Sequence, residues 1–164
     1  MKTSDKYDTV FHVVKRIGTL RSLERVFDLI HEHHKNGDVP KYFCSQEEVL
    51  ESQITLYIHL ASFTCSFFDK RGVDVRSLDQ GILSKRSIEL LGEVDALWKP
   101  LEKPLMQIRN NFGFHGGSSP QIKQVCRASN RIEKEQLLVQ LVGLWEKLHE
   151  LAGQLKEDIV TEEA

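Results

Sequence analysis

The chain has 164 residues, of which 40% are hydrophobic and 28% charged, the balance of a soluble globular domain with a core of its own rather than of a disordered polymer. Its formal net charge is -2, so no whole-molecule positive field points to nucleic acid, and an RNA-directed role would have to rest on a local basic site. No apolar run approaches the roughly 20 residues that cross a bilayer, and Met1 to Lys6 lead into polar sequence with no signal-peptide segment, so a cytoplasmic protein without membrane association is expected.

Helical periodicity dominates, and no strand-like alternation interrupts it. A first helix is predicted from about Asp5 to about His34, with Tyr7, Val10, Phe11, Val14, Ile17, Leu20, Leu23, Phe27 and Ile30 on one face; Gly18 is the position at which it could divide or bend. The cluster from Asn36 to Pro40 breaks it. Ser45 followed by Glu48 reads as a capping box, in which each side chain satisfies an orphan amide. The helix it opens carries Val49, Ile54, Tyr57, Ile58, Ala61, Cys65 and Phe68 to about Lys70. A polar loop follows, from Arg71 to about Gln80.

The third helical stretch spans Leu83 to Trp98, with Ile88, Leu91, Val94, Leu97 and Trp98 as its inner side. Pro100 and Pro104 are expected to interrupt it, because proline lacks the amide donor and crowds the preceding turn. Pro104 suits the first turn of a new short helix from Leu105 to about Phe114, which the run Gly116 to Pro120 ends. The last helix, from about Arg131 to Val160, holds Leu137, Leu138, Leu141, Leu144, Trp145, Leu148, Leu151, Leu155 and Ile159 in a three-and-four rhythm. The expected fold is therefore all-α: one helical domain over residues 1–164, a bundle of four to five helices.

Three cysteines, Cys44, Cys65 and Cys126, are odd in number and widely spaced, so neither a disulfide framework nor a zinc site is indicated. Cys65 falls on the apolar stripe and reads as a small core residue. His31-Glu32-His33-His34 places two histidines three apart, yet a polar helix end explains it better than a metal site. His12 and His59 lie within apolar stretches and read as packed or edge residues, and His149 falls on the polar side of the last helix. Lys15, Arg16, Arg21 and Arg25 recur at helical spacing and read as a solvated face. Trp145 is the large aromatic to follow if the last helix pairs with a second copy.

One segment is chemically pointed: Arg109-Asn110-Asn111-Phe112-Gly113-Phe114-His115. An arginine followed by a polar residue, with a histidine a few positions on, resembles the active-site motif of the HEPN family of metal-independent RNases. The resemblance implies a HEPN-like helical bundle, commonly dimeric with its site at the dimer interface. It implies an endoribonuclease, as in toxins and phage-defence or stress proteins, with RNA as substrate and an antitoxin or regulatory protein as a further partner. His115 would be the general acid/base, Arg109 the phosphate clamp and Asn110 a supporting group; no cofactor or metal is called for. The chemistry suits the residue types, since histidine titrates near neutrality and arginine offers a permanent forked charge that matches phosphate. Arg127 and Arg131, which follow closely, are candidates for additional nucleic-acid contacts.

At about 100° per residue, Arg109 and His115 lie roughly 120° apart on an unbroken helix. Gly113 would have to loosen the helix end, or two subunits would have to share the site. Two other classes of function compete with the nuclease: a non-catalytic HEPN domain that binds RNA, nucleotide or protein, and a structural helical module in which Arg109 makes only an ion pair.

Overall fold

The computed structural model describes residues 3–70, 73–112 and 133–163, with side chains over 7–70, 73–110 and 136–161. Four long helices account for most of them: α1 (Thr3–Asn36), α2 (Gln46–Cys65), α3 (Lys85–Phe112) and α4 (Glu133–Glu163). Short 3₁₀ turns at Val75–Ser77 and Gln80–Ile82 lie between α2 and α3, and no strand occurs among the described residues. The chain is thus an all-α bundle.

The helices form a ring in which α1 packs on α2, α2 on α3, α3 on α4 and α4 back on α1. Their directions follow from side-chain pairs. Arg16 meets Ser66 and His31 meets Gln53, so α1 and α2 are antiparallel. Lys147 meets Glu93 while Asp158 meets Ser87, so α3 and α4 are antiparallel as well. Trp145 reaches Thr64 and His149 reaches Glu24, which fits only if α1 and α4 run the same way. Hence α2 and α3 are parallel neighbours. The connection between them is a crossover that travels back along the bundle, and the polar loop expected there is more than a turn. Val75 and Leu78 of this crossover are buried, and the Val75 amide donates to the Phe67 carbonyl at 2.8 Å, tying the returning chain to the end of α2.

The core draws on all four helices, with Val13, Ile17, Leu20, Leu60, Phe67, Trp98, Leu101, Leu105, Leu144, Leu148 and Leu151 almost fully enclosed. In α4, Leu141, Leu144, Trp145, Leu148, Leu151 and Leu155 are buried as the rhythm predicts, while Leu137, Leu138 and Ile159 are partly buried. In α1 the inner face is Val10, Val13, Ile17, Leu20 and Phe27, whereas Phe11 is exposed. In α3, Leu90 takes the inner place expected of Ile88 and Leu97, both of which are partly exposed. Helix α1 runs unbroken through Gly18.

The largest departure from expectation is α3, which continues through Pro100 and Pro104. Each proline deprives the carbonyl four residues earlier of its amide partner, here Ala96 and then Pro100. Ala96 and Pro100 are exposed, so water can serve those carbonyls, while Trp98, Leu101 and Leu105 on the opposite side are buried. Burial of an indole and two leucines, worth about 1.5–3 kcal/mol for each aliphatic side chain, outweighs the local cost.

The helix starts are capped as the residue types require. Ser45 Oγ accepts from the Glu48 amide at 3.2 Å, and the Glu48 carboxylate returns to the amide of Cys44 at 2.6 Å, one residue before the usual partner. Ser84 caps α3, its Oγ accepting from the Ser87 amide at 3.2 Å, and Asp158 of α4 completes the cap from a distance by accepting from the Ser84 amide at 3.1 Å and the Ser87 hydroxyl at 2.6 Å. Among the described residues no helix is long and apolar enough to cross a membrane.

Candidate functional site

The periodicity of α3 brings Arg109 to the site. Leu101 and Leu105 are buried one above the other at intervals of four, and Arg109 is the next position on that stripe. A guanidinium at the edge of a core needs a partner for its charge. Asp69 supplies it: Arg109 Nη1 donates to Asp69 Oδ2 at 3.0 Å. The Met106 sulfur, one turn back, lies 3.9 Å from the same nitrogen. Side-chain exposures of 37% for Arg109 and 23% for Asp69 put the pair at the rim, in reach of solvent and of a ligand.

Asp69 stands just past α2, where the chain tightens. The amides of Ser66, Phe67 and Phe68 donate to the carbonyls of Phe63, Thr64 and Cys65, a 3₁₀-like close to the helix that turns Phe67 and Phe68 inward. Phe68 stacks on Trp98 with centroids 4.1 Å apart and planes 4° from parallel. Arg76 then closes over this corner. Its Nη2 donates to the Phe68 carbonyl at 2.7 Å, its guanidinium lies 5.7 Å from the Phe68 ring centre, and two of its nitrogens engage both oxygens of Asp74 at 2.9 Å. Burial pushes the Asp74 pKa up, but these hydrogen bonds and the Arg76 charge hold it below the ordinary carboxylate value. Consecutive residues at the end of α2 therefore anchor two arginines, Arg76 on the Phe68 carbonyl and Arg109 on the Asp69 carboxylate. Lys70, Asp74, Arg76 and Ser77 line an open depression of about 450 Å³ beside them.

Cys65 lies beneath this corner. Burial pushes its thiol pKa up to about 11, and the nearby Arg109 charge offsets only part of that effect. Asn110 is exposed next to Arg109 at the end of α3. His115, Arg127 and Arg131 lie outside the described residues, as do Gly113 and Phe114.

The other candidates fall elsewhere. His31 and Gln53 sit at the opposite end of the α1–α2 pair, where Gln53 Nε2 donates to His31 Nδ1 at 2.5 Å and the imidazole stacks on Phe27 at 5.8 Å. His33 is 3.9 Å from Asp38. No group of three or more potential metal ligands gathers among the described residues. Lys15, Arg21 and Arg25 form an exposed face, but Arg16 turns in to Ser66 and lies over the rings of Phe63 and Phe67 at 5.2 and 5.6 Å. Trp145 is buried within its own bundle.

Sequence reasoning passed over Asp69 and placed His149 on the polar side of the last helix without a partner. His149 is half-buried, with Nε2 2.9 Å from both oxygens of Glu24, and so joins α4 to α1. The signal for Asp69 was a charged residue, Arg109, continuing an apolar stripe; it announces a partner without saying where in the chain that partner lies.

No family model, curated protein or solved structure gives a significant match to this chain. The HEPN likeness therefore rests on the residues of the motif.

Proposed function

We propose that the chain is a HEPN-like, metal-independent endoribonuclease that acts as a homodimer. The observation that carries this reading is the motif Arg109-Asn110 through His115 on a helical bundle, with Arg109 held at the rim of the core by Asp69 at 3.0 Å. An arginine placed there meets the first requirement of a phosphate clamp, a charge that is fixed in place yet open to solvent.

In the proposed reaction His115 takes the proton from a ribose 2′-hydroxyl. The 2′-oxygen attacks the adjacent phosphorus, the bond from phosphorus to the 5′-oxygen breaks, and the leaving oxygen receives a proton. Arg109 stabilises the charge that builds on the non-bridging oxygens, and Asn110 orients the clamp or the phosphate. The products are a 2′,3′-cyclic phosphate and a free 5′-hydroxyl. Proton transfer and charge stabilisation both come from side chains, so the scheme requires no metal. Two copies of the motif around one cleft would overcome the roughly 120° that separates Arg109 from His115 on a continuous helix. Growth arrest, as by a toxin or a phage-defence protein, is the cellular role that goes with such an activity, held in check by an antitoxin or regulatory protein.

The test is cleavage of a labelled single-stranded RNA by the purified chain in EDTA, with the product ends identified. The reading expects undiminished cleavage and 2′,3′-cyclic phosphate ends. Activity abolished by EDTA and restored by a divalent ion would overturn it.

A further inference from the structure

We infer that Asp69 is a positioning residue for Arg109 in RNA cleavage, an inference that rests on the endoribonuclease reading above. Arg109 puts a charge on the α3 stripe directly after the buried Leu101 and Leu105, and its guanidinium is met by a carboxylate from 40 residues earlier in the chain. That carboxylate is itself fixed. The tight close of α2, the stack of Phe68 on Trp98 and the grip of Arg76 on the Phe68 carbonyl immobilise the backbone that bears it. The contact runs to Nη1, one edge of a fork with five N–H donors.

A guanidinium recognises phosphate through its plane, so the orientation of that plane decides how many donors reach the non-bridging oxygens. Bonding at Nη1 restricts the rotations that would otherwise swing the plane out of line. The same carboxylate also repels a phosphodiester, and this sets the two effects in opposition. In the ground state Asp69 weakens RNA binding by like-charge repulsion. In the transition state, where more charge sits on the phosphate oxygens, the fixed orientation of Arg109 counts for more. Asp69 thus aids turnover while opposing affinity, a signature that a residue serving only to hold the fold together does not produce.

The experiment compares steady-state RNA cleavage by wild type, Asp69→Asn, Asp69→Glu, Arg109→Ala, the Asp69→Asn/Arg109→Ala pair and His115→Ala, with thermal melting of each. Asp69→Asn is expected to lower kcat about 10- to 100-fold, the scale of a small misplacement of a catalytic group, with KM unchanged or lower and with a normal melting curve. Asp69→Glu, which keeps the charge, recovers part of the rate. Once Arg109 is alanine, Asp69→Asn lowers kcat no further, because in turnover the two residues act as one unit. Wild-type kcat in Asp69→Asn with an inactive His115→Ala overturns the role of Asp69 and leaves the nuclease reading standing. Independent, multiplicative losses from Asp69→Asn and Arg109→Ala overturn it too. A wild-type chain that cleaves no RNA overturns both.

Discussion

Trp145 Nε1 donates to Thr64 Oγ1 at 2.9 Å inside the bundle, and that hydroxyl donates in turn to the Leu60 carbonyl at 2.7 Å. The relay joins α4 to α2 across the ring, and every polar atom in it is out of reach of water. Thr64→Val keeps the shape of the side chain but leaves the indole donor unpaired, at a cost of about 1–3 kcal/mol. Urea unfolding should show a clearly lower midpoint for Thr64→Val and a smaller change for Thr64→Ser. An unchanged midpoint in Thr64→Val would show that the relay contributes nothing.

The prolines of α3 make a second prediction. Pro100 is exposed in a continuous helix, and its missing amide leaves the Ala96 carbonyl to solvent. Alanine restores that bond and the helix propensity, while the more flexible unfolded chain returns part of the gain. Pro100→Ala should therefore stabilise the protein by about 1–2 kcal/mol, read as a higher melting temperature. A lower one would mean that proline sets a curvature the packing needs.

A third prediction concerns acid. Burial pushes the Asp158 pKa up, but hydrogen bonds from Ser87 and Ser84 outweigh it and hold the carboxyl below its ordinary value. A group whose pKa is depressed by folding stabilises the fold above its unfolded pKa of about 3.9 and loses that contribution as pH falls through the folded value. Asp158→Asn should cost about 0.5–2 kcal/mol at neutral pH, the worth of a helix cap. The gap between variant and wild type should close as the pH of the melts falls below about 4. A gap independent of pH would remove the charged cap from the account.

Cysteine chemistry tests the burial at the foot of the site. Cys44 is exposed, whereas Cys65 is enclosed and its thiol pKa is pushed up to about 11, chiefly by burial. Alkylation of the native protein at pH 8 should mark Cys44 quickly and spare Cys65 until denaturant is added, as peptide mapping would reveal. Rapid native labelling of Cys65 would mean that the corner beneath Asp69 and Arg109 opens readily.

The sequence was most readable where local pattern and tertiary packing agree. Leu141, Leu144, Leu148, Leu151 and Leu155 of α4 keep one rhythm over many turns, and all are buried. The Ser45–Glu48 cap was readable because its parts lie three residues apart. The continuity of α3 was not, because the rule for proline is local and the burial of Trp98, Leu101 and Leu105 that overrides it depends on the other helices. The same limit hid the cap of α3 by Asp158, 71 residues from Ser87, and the link of His149 to Glu24 across 125 residues. At the site, Arg109 and Asn110 were found by motif, whereas Asp69 becomes visible only when the end of α2 is seen beside α3.

Assembly is tested separately. The proposed site draws on two copies of the motif, so light scattering should give about twice the 18.9 kDa chain mass. A monomer at micromolar concentration would remove the shared-site form of the mechanism.

The central claim is that His115 moves the proton while Arg109 holds the phosphate, and the most direct measurement is RNA cleavage by His115→Ala set beside its RNA affinity. General acid–base catalysis is typically worth about 10²–10⁴-fold, so the folded variant should lose cleavage by that factor and bind uncleaved RNA nearly as tightly as wild type. Cleavage by folded His115→Ala at the wild-type rate would contradict the account.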